Sequence, residues 1–206
     1  MEPETVLLIA NTHETRLLLQ GELRAIQKGL QFVENMELIR PTTKGTYRGY
    51  VNSDGQREGV GVTIWDNGEK QYAEYYHDQV HGIGLIKRAD GDSYLGELKH
   101  HRGHGYGTFH WAHNGQTYTG QYKDDDRNGY GVDTWPDGEA HYGQYIDGKW
   151  EGYGLRKYPS GNEYDGQWEN DNRSGMAVYK YAATGVIQRE QWKDDKRIIV
   201  IEVLNK

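Results

Sequence analysis

Cysteine is absent from this chain of 206 residues, which excludes disulfide staples, thiolate metal sites and a cysteine nucleophile. Proline is nearly absent too, at 4 residues, so the 28 glycines are not the filler of a Pro/Gly-rich disordered chain and need a structural reason. No apolar run of about 18 residues occurs. The apolar stretch at residues 6–10 is too short, and wrongly flanked, for a signal peptide. The chain is therefore expected to be soluble and cytoplasmic. Positive charge is in deficit, with 24 Lys+Arg against 31 Asp+Glu and a net charge of -7, so the summed field repels nucleic-acid phosphates and anionic headgroups. Aliphatic residues are scarce between residues 47 and 192, whereas the chain holds 17 Tyr and 6 Trp. Large amphipathic rings must carry the burial.

Self-similarity organises what is present. Gly-x-Gly pairs fall at Gly59/Gly61, Gly82/Gly84, Gly105/Gly107, Gly129/Gly131 and Gly152/Gly154, and continue as Gly175/Ala177, with spacings of 23, 23, 24, 23 and 23 residues. A turn dipeptide keeps the same period at Asn67-Gly68, Asp90-Gly91, Asn114-Gly115, Asp137-Gly138, Ser160-Gly161 and Thr184-Gly185. Each unit opens as Tyr-x-Gly-x-aromatic or a variant: Tyr47-x-Gly49, Tyr94-x-Gly96, Tyr118-x-Gly120-x-Tyr122, His141-x-Gly143-x-Tyr145 and Tyr164-x-Gly166-x-Trp168. Asn-Gly or Asp-Gly between alternating segments signals a hairpin. In the unit opening at Tyr118, residues 118–123 read as a first strand, 124–128 as a loop and 129–135 as a second strand. Period-two alternation puts Tyr118, Gly120 and Tyr122 on one face and gives Gly129, Gly131, Asp133 and Trp135 a shared face. The glycines leave gaps in the side-chain layer into which neighbouring rings lie.

This pattern resembles the MORN repeat (membrane occupation and recognition nexus) over residues 47–192. It weakens at Tyr72-Ala73-Glu74, where the first Gly is missing, and in the last unit, where Ala177 replaces a Gly and only the ring of Trp192 is kept. The expected fold is mainly β: an elongated single-sheet solenoid of about six antiparallel β-hairpin repeats with an N-terminal α-helix. Three segments are expected: 1–41, a strand and an amphipathic helix; 42–192, the repeats; and 193–206, a C-terminal strand and tail.

The N-terminal segment carries its own pattern. Leu19, Leu23, Ile26, Leu30 and Val33 recur at spacings of 4, 3, 4 and 3, the stripe of a helix. Asn11 and Glu14 suit a capping box, and Pro41 marks the far boundary. Such a stripe either packs on the repeats or pairs with a partner, a second copy of the chain included. Residues 198–203 (IIVIEV) read as a strand closing the last edge.

Several chemical motifs fail on inspection. Asp124-x-Asp126-x-Asn128-Gly129 opens like a calcium loop, but its twelfth position is Trp135 instead of a bidentate Glu. Gly143 to Lys149 resembles a phosphate loop until Trp150 stands where a hydroxyl should bind magnesium. His77 and His81, like His100 and His104, have ligand-like spacing. Equivalent positions of adjacent hairpins lie about 9.6 Å apart, however, too far for one zinc ion. No catalytic motif is present, so neither an enzyme nor a cofactor or metal site is expected.

The reading that remains is a non-enzymatic scaffold that binds an extended peptide or helix of a protein partner along an aromatic groove. Trp111, Tyr122, Trp135, Tyr145, Tyr158 and Trp168 are the expected anchors, and Leu19, Leu23, Ile26, Leu30 and Val33 a second element for a partner or homo-oligomer. The resemblance implies a cytoskeletal, ciliary or organellar setting. The alternative is a peripheral phosphoinositide-binding membrane module using Lys99, His100, His101 and Arg102 with Lys193, Lys196 and Arg197.

Six hairpins at about 9.6 Å each extend about 60 Å. Small-angle scattering is expected to give a radius of gyration well above the compact value of about 17 Å for this length, and a compact value would count against a solenoid.

Overall fold

The computed structural model of the chain describes Ala25 and residues 28–204. Among the described residues fifteen antiparallel strands follow one another in chain order, each bonded to its sequence neighbours. Two compact units divide the chain, residues 1–105 and 106–206. The first holds β1 (Gln31–Arg40), β2 (Thr43–Val51), β3 (Arg57–Trp65), β4 (Lys70–Tyr76), β5 (Gln79–Lys87), β6 (Ser93–Lys99) and the start of β7 (Arg102–His110). The second continues through β8 (Thr117–Lys123), β9 (Asp126–Thr134), β10 (Ala140–Ile146), β11 (Lys149–Lys157), β12 (Glu163–Glu169), β13 (Asn172–Lys180), β14 (Ile187–Lys193) and β15 (Lys196–Val203).

Val33, expected on the helix, is a strand residue, paired with Gly49 in β1. Ala25 is helical, Gly29 takes φ +66°, and the Leu30 amide donates to the Ala25 carbonyl at 3.2 Å. Leu30, expected on the same stripe, directly precedes β1 and is not helical. Leu19, Leu23 and Ile26, like the Asn11/Glu14 capping box, lie outside the described residues. Pro41 marks the turn between β1 and β2 and not a helix boundary. At the other end, the strand expected over residues 198–203 is β15, which among the described residues pairs with β14 alone.

From β3 onward two kinds of connection alternate. The tight turns use consecutive left-handed residues: His77-Asp78, His100-His101, Asp124-Asp125, Asp147-Gly148, Asn170-Asp171 and Asp194-Asp195. Such pairs match the type I′ geometry that suits the twist of the flanking strands, and Asp, Asn and His tolerate positive φ best among residues with a side chain. The expected loop at 124–128 thus shrinks to two residues, with Asp126 and Asn128 inside β9. The Asn-Gly and Asp-Gly dipeptides instead sit in the longer connections. There the Trp135 amide donates to the Glu139 carbonyl at 2.9 Å and the Gly138 amide to the Trp135 carbonyl at 3.1 Å.

The two glycines of each Gly-x-Gly do different work. Gly129 has φ +94° and opens a bulge at which β9 slips against β8, whereas Gly131 pairs with Gly120. The Tyr118 ring lies over Gly120 and Gly131, in space that a Cβ at either position would invade. Its hydroxyl donates to the Gln121 carbonyl at 3.0 Å. The same bond recurs from Tyr47 to Tyr50 at 2.9 Å, from Tyr94 to Glu97 at 2.7 Å and from Tyr164 to Gln167 at 2.7 Å. Rings then meet edge to face, with Tyr118 4.9 Å from Tyr145 and 5.1 Å from Tyr122, contacts worth about 0.5–1.5 kcal/mol each beyond area burial.

Where the sequence departs from this pattern, the packing changes to suit. In the hairpin of β4 and β5 the position equivalent to Tyr118 is Gln71, followed by Ala73 and Tyr75, all three buried; Tyr72, which seemed the marker, lies on the opposite face. In the last hairpin Gln188 and Glu190 stand in place of ring and glycine. Buried Glu190 accepts from the Tyr181 hydroxyl at 2.8 Å, Trp192 Nε1 at 3.0 Å and Arg197 Nη1 at 3.1 Å.

Gly131→Val must displace the Tyr118 ring, whereas Gln121→Val occupies the opposite, partly exposed face. The first is expected to cost about 2–4 kcal/mol and the second about 1 kcal/mol or less, measured by denaturant unfolding; equal losses would refute the face assignment.

Candidate functional site

The ring-bearing face is the candidate site, and it is layered. Tyr122, Tyr145 and Trp168 are buried at 7%, 0% and 3% exposure, so they build the floor and offer a partner little surface. Trp111, Trp135 and Tyr158 are only half-buried. Each follows the last residue of β7, β9 or β11, where the longer connection begins, and this position carries the ring to the rim of the face.

Between rim and floor in the second unit lies a buried polar network. Asp133, fully buried, accepts from Arg127 Nη1 at 2.7 Å, the Tyr145 hydroxyl at 2.9 Å and Gln116 Nε2 at 3.0 Å. Trp150 Nε1 donates in turn to the Tyr145 hydroxyl at 3.1 Å. Burial raises the Tyr145 pKa, and the adjacent Asp133 charge raises it further, so the phenol remains a donor. The Arg127 guanidinium stands 5.2 Å from the centre of the Tyr145 ring. Arg156 lies 4.8 Å over Trp150 and 5.1 Å over Tyr158 and donates through Nε to Glu139 at 2.6 Å. The cations are thus fixed by rings and carboxylates at once.

His141 takes the place of the tyrosine that covers the glycine pair in neighbouring repeats. It is fully buried, stacks on Trp150 with centroids 4.1 Å apart, and neither ring nitrogen has a partner. Burial, with Arg156 and Arg127 adding to it, pushes its pKa down to about 3.

The first unit presents the same face as a cleft of about 700 Å³, with Arg40, Arg57, Trp65, Glu69, Val80 and His101 in its walls. Arg40 lies 3.7 Å over Trp65. Burial lowers the His101 pKa, and Arg57, Arg40 and His100 lower it further, so this member of the expected basic loop favours its neutral form. Among the described residues, no group of three potential metal-ligating side chains comes together.

The opposite face carries residues that sequence reasoning passed over. The residue inside each Gly-x-Gly points away from the rings: Tyr106, Tyr130 and Tyr153 are 64%, 69% and 69% exposed, and Met176 41%. Period-two alternation from Gly129 and Gly131 was the available signal, because it assigns Tyr130 to the face that the rings leave open.

The sequence matches the MORN repeat family model at residues 53–70, 94–115, 118–140, 141–163 and 164–184. The unmatched stretches hold the hairpins with Gln71 and with Gln188 at the ring position. Among solved structures, the chain aligns with the TCP domain of Drosophila melanogaster SAS-4 (dCPAP), solved in complex with a proline-rich motif of Ana2 (dSTIL), at 12% identity over 82% of this chain and 96% of that one, with a TM-score of 0.43. It also aligns with the TCP10 domain of Danio rerio CPAP, solved with a STIL peptide, at 13% identity over 82% and 99%, with a TM-score of 0.27. No curated protein sequence matches.

His141 folds neutral, whereas the unfolded chain protonates it near pH 6.5. Between about pH 6.5 and 3 the unfolded state therefore binds more protons, and stability falls as pH falls. His141→Tyr should restore the hydroxyl-to-carbonyl bond, adding about 1 kcal/mol at pH 7, and should remove this dependence. The expected result in urea unfolding is an advantage over the natural chain that widens from pH 7 to pH 5; a constant gap would show that His141 does not titrate on unfolding.

Proposed function

This chain belongs to the MORN-repeat family, and from that premise we propose that it is a non-enzymatic scaffold that holds a protein partner along the ring-bearing face. The observation that carries this reading is the rim of half-buried Trp111, Trp135 and Tyr158 beside Arg127 and Arg156, which are held by Asp133 and Glu139. Trp, Tyr and Arg are the residue types that dominate binding energy at protein interfaces, and side chains already fixed in place lose little entropy when a partner arrives. The cleft of the first unit, with Arg40 stacked on Trp65, offers the same chemistry.

An extended peptide or a helix fits such a face, because each supplies side chains at regular intervals while satisfying or exposing its own backbone groups predictably. The network around Asp133 orients the rings and cations and holds no arrangement for bond-making chemistry. A cytoskeletal or ciliary assembly is the setting we propose for this scaffold, on the strength of the family alone.

The test is capture of partners from native extract by the whole chain, followed by rim variants with folding checked by circular dichroism. Trp111→Ala, Trp135→Ala and Tyr158→Ala are each expected to weaken a captured partner by about 2 kcal/mol where they are central to the contact. Leu19→Ala with Leu23→Ala should leave that partner bound. The reverse pattern would make the N-terminal stripe of Leu19, Leu23, Ile26, Leu30 and Val33 the binding element and the repeats its support.

A further inference from the structure

In the second unit the face opposite the rings carries an uncharged row that runs across the strands. Tyr106, Tyr130, Tyr153 and Met176 occupy equivalent positions in successive repeats, one on every second strand. Glutamines stand on the strands between them. Gln121 Nε2 donates to the Tyr106 hydroxyl at 3.2 Å while its Oε1 accepts from the Tyr130 amide at 2.8 Å. Gln167 repeats the arrangement, with Nε2 on the Tyr153 hydroxyl at 3.3 Å and Oε1 on the Met176 amide at 2.9 Å. These amides lie at the bulges, where the ladder supplies no acceptor, so each glutamine both closes a bulge and orients a ring. The Tyr153 hydroxyl accepts from Gln167 and keeps its own proton to donate.

The first unit shows that an apolar segment can cover this face. Val60, the residue inside the first Gly-x-Gly, is buried, and Ala25 and Leu30 of the N-terminal segment pack against the adjacent Gly59. In the second unit the corresponding residues stay open.

We propose that this row binds a polyproline II segment of a partner protein with proline at every third position. Spacing decides the conformation. The row repeats every two strands, about 9.6 Å. A polyproline II helix advances about 9.3 Å per three-residue turn, so from Tyr106 to Met176 it drifts by about 1 Å. Seven residues of α-helix advance about 10.5 Å and drift by about 3 Å over the same span. An extended strand alternates its side chains, so every third one faces away. Polarity agrees with the spacing, because proline rings are flat, apolar and uncharged, like the tyrosine faces that would receive them, and the neutral row offers no countercharge to an acidic or basic segment. Polyproline II carbonyls have no internal partner and stand ready to accept from a tyrosine hydroxyl.

The proposal is independent of the ring-face reading, since it uses the opposite face, and the two fail separately. The test is titration of the whole chain with a blocked peptide of about four turns carrying proline at every third position, followed by tyrosine fluorescence or amide NMR. Saturable binding is expected. Tyr130→Ala and Tyr153→Ala should each weaken it at least about tenfold with unfolding midpoints little changed, whereas Tyr142→Ala, exposed on the same face outside the row, should leave it unaltered. Moving the prolines to every fourth position should also weaken binding about tenfold. No binding to the natural chain, equal affinity for both spacings, or indifference to Tyr130→Ala and Tyr153→Ala would overturn the proposal. Tighter binding, on the same row, of a peptide spanning residues 17–33 of this chain would overturn it too, in favour of the chain's own N-terminal segment.

Discussion

A tyrosine ring lying across two glycines is the contact on which the rest of the structure depends. In the hairpin of β8 and β9 the Tyr118 ring occupies the space above Gly120 and Gly131, and its hydroxyl donates to the Gln121 carbonyl. One side chain thereby fixes the register of two strands, fills the layer that two missing side chains would leave empty, and satisfies its own polar end. A single sheet has no second sheet to bury its rings, so this self-packing takes the place of a conventional core. Edge-to-face contact from Tyr118 to Tyr145 passes the constraint to the next repeat.

Polar groups inside this layer are tolerated because each large hydrogen-bonding demand is met locally. Asp133 has three close donors and Glu190 likewise, which offsets the cost of burying a carboxylate in so thin a layer. His141 is one exception, alongside Trp65 Nε1 and Gln71 Oε1. It has the ring needed to cover Gly143 and Gly154 but lacks the hydroxyl that closes the arrangement elsewhere. Stacking on Trp150 and edge contact with Trp168 at 4.9 Å hold it instead.

The same geometry produces two unlike faces. Gly131 lies under the ring and gives the packed face its floor, while Gly129, at positive φ, opens the bulge that turns Tyr130 outward. The packed face gathers Trp, Tyr and Arg at its rim, where long connections begin. The open face carries the row of Tyr and Met residues that the bulges raise, tied to glutamines. A repeat of about 23 residues therefore presents two surfaces of different chemistry at one spacing.

The period, the strands and the hairpins were legible in the sequence because each is local: Gly-x-Gly, the turn dipeptides and the Tyr-x-Gly opening all recur within one unit. The division of labour between the two glycines was not, since it depends on how β9 slips against β8 at Gly129. Nor were most of the tight turns, since left-handed pairs such as Asp124-Asp125 and His100-His101 carry no glycine to announce them. The apolar spacing from Leu19 to Val33 read as one helix, but strand pairing with Gly49 claims Val33, because tertiary hydrogen bonds outweigh a periodic preference. The expected anchors differ in depth: Tyr122, Tyr145 and Trp168 form the floor, and Trp111, Trp135 and Tyr158 the rim. The sequence by itself determined a repeating, ring-packed β protein, since its pattern admits no other way to bury so many aromatics. Which rings a partner can reach was decided only by the tertiary structure, because exposure depends on the neighbouring strands that cover a side chain and not on the residue's own place in the repeat.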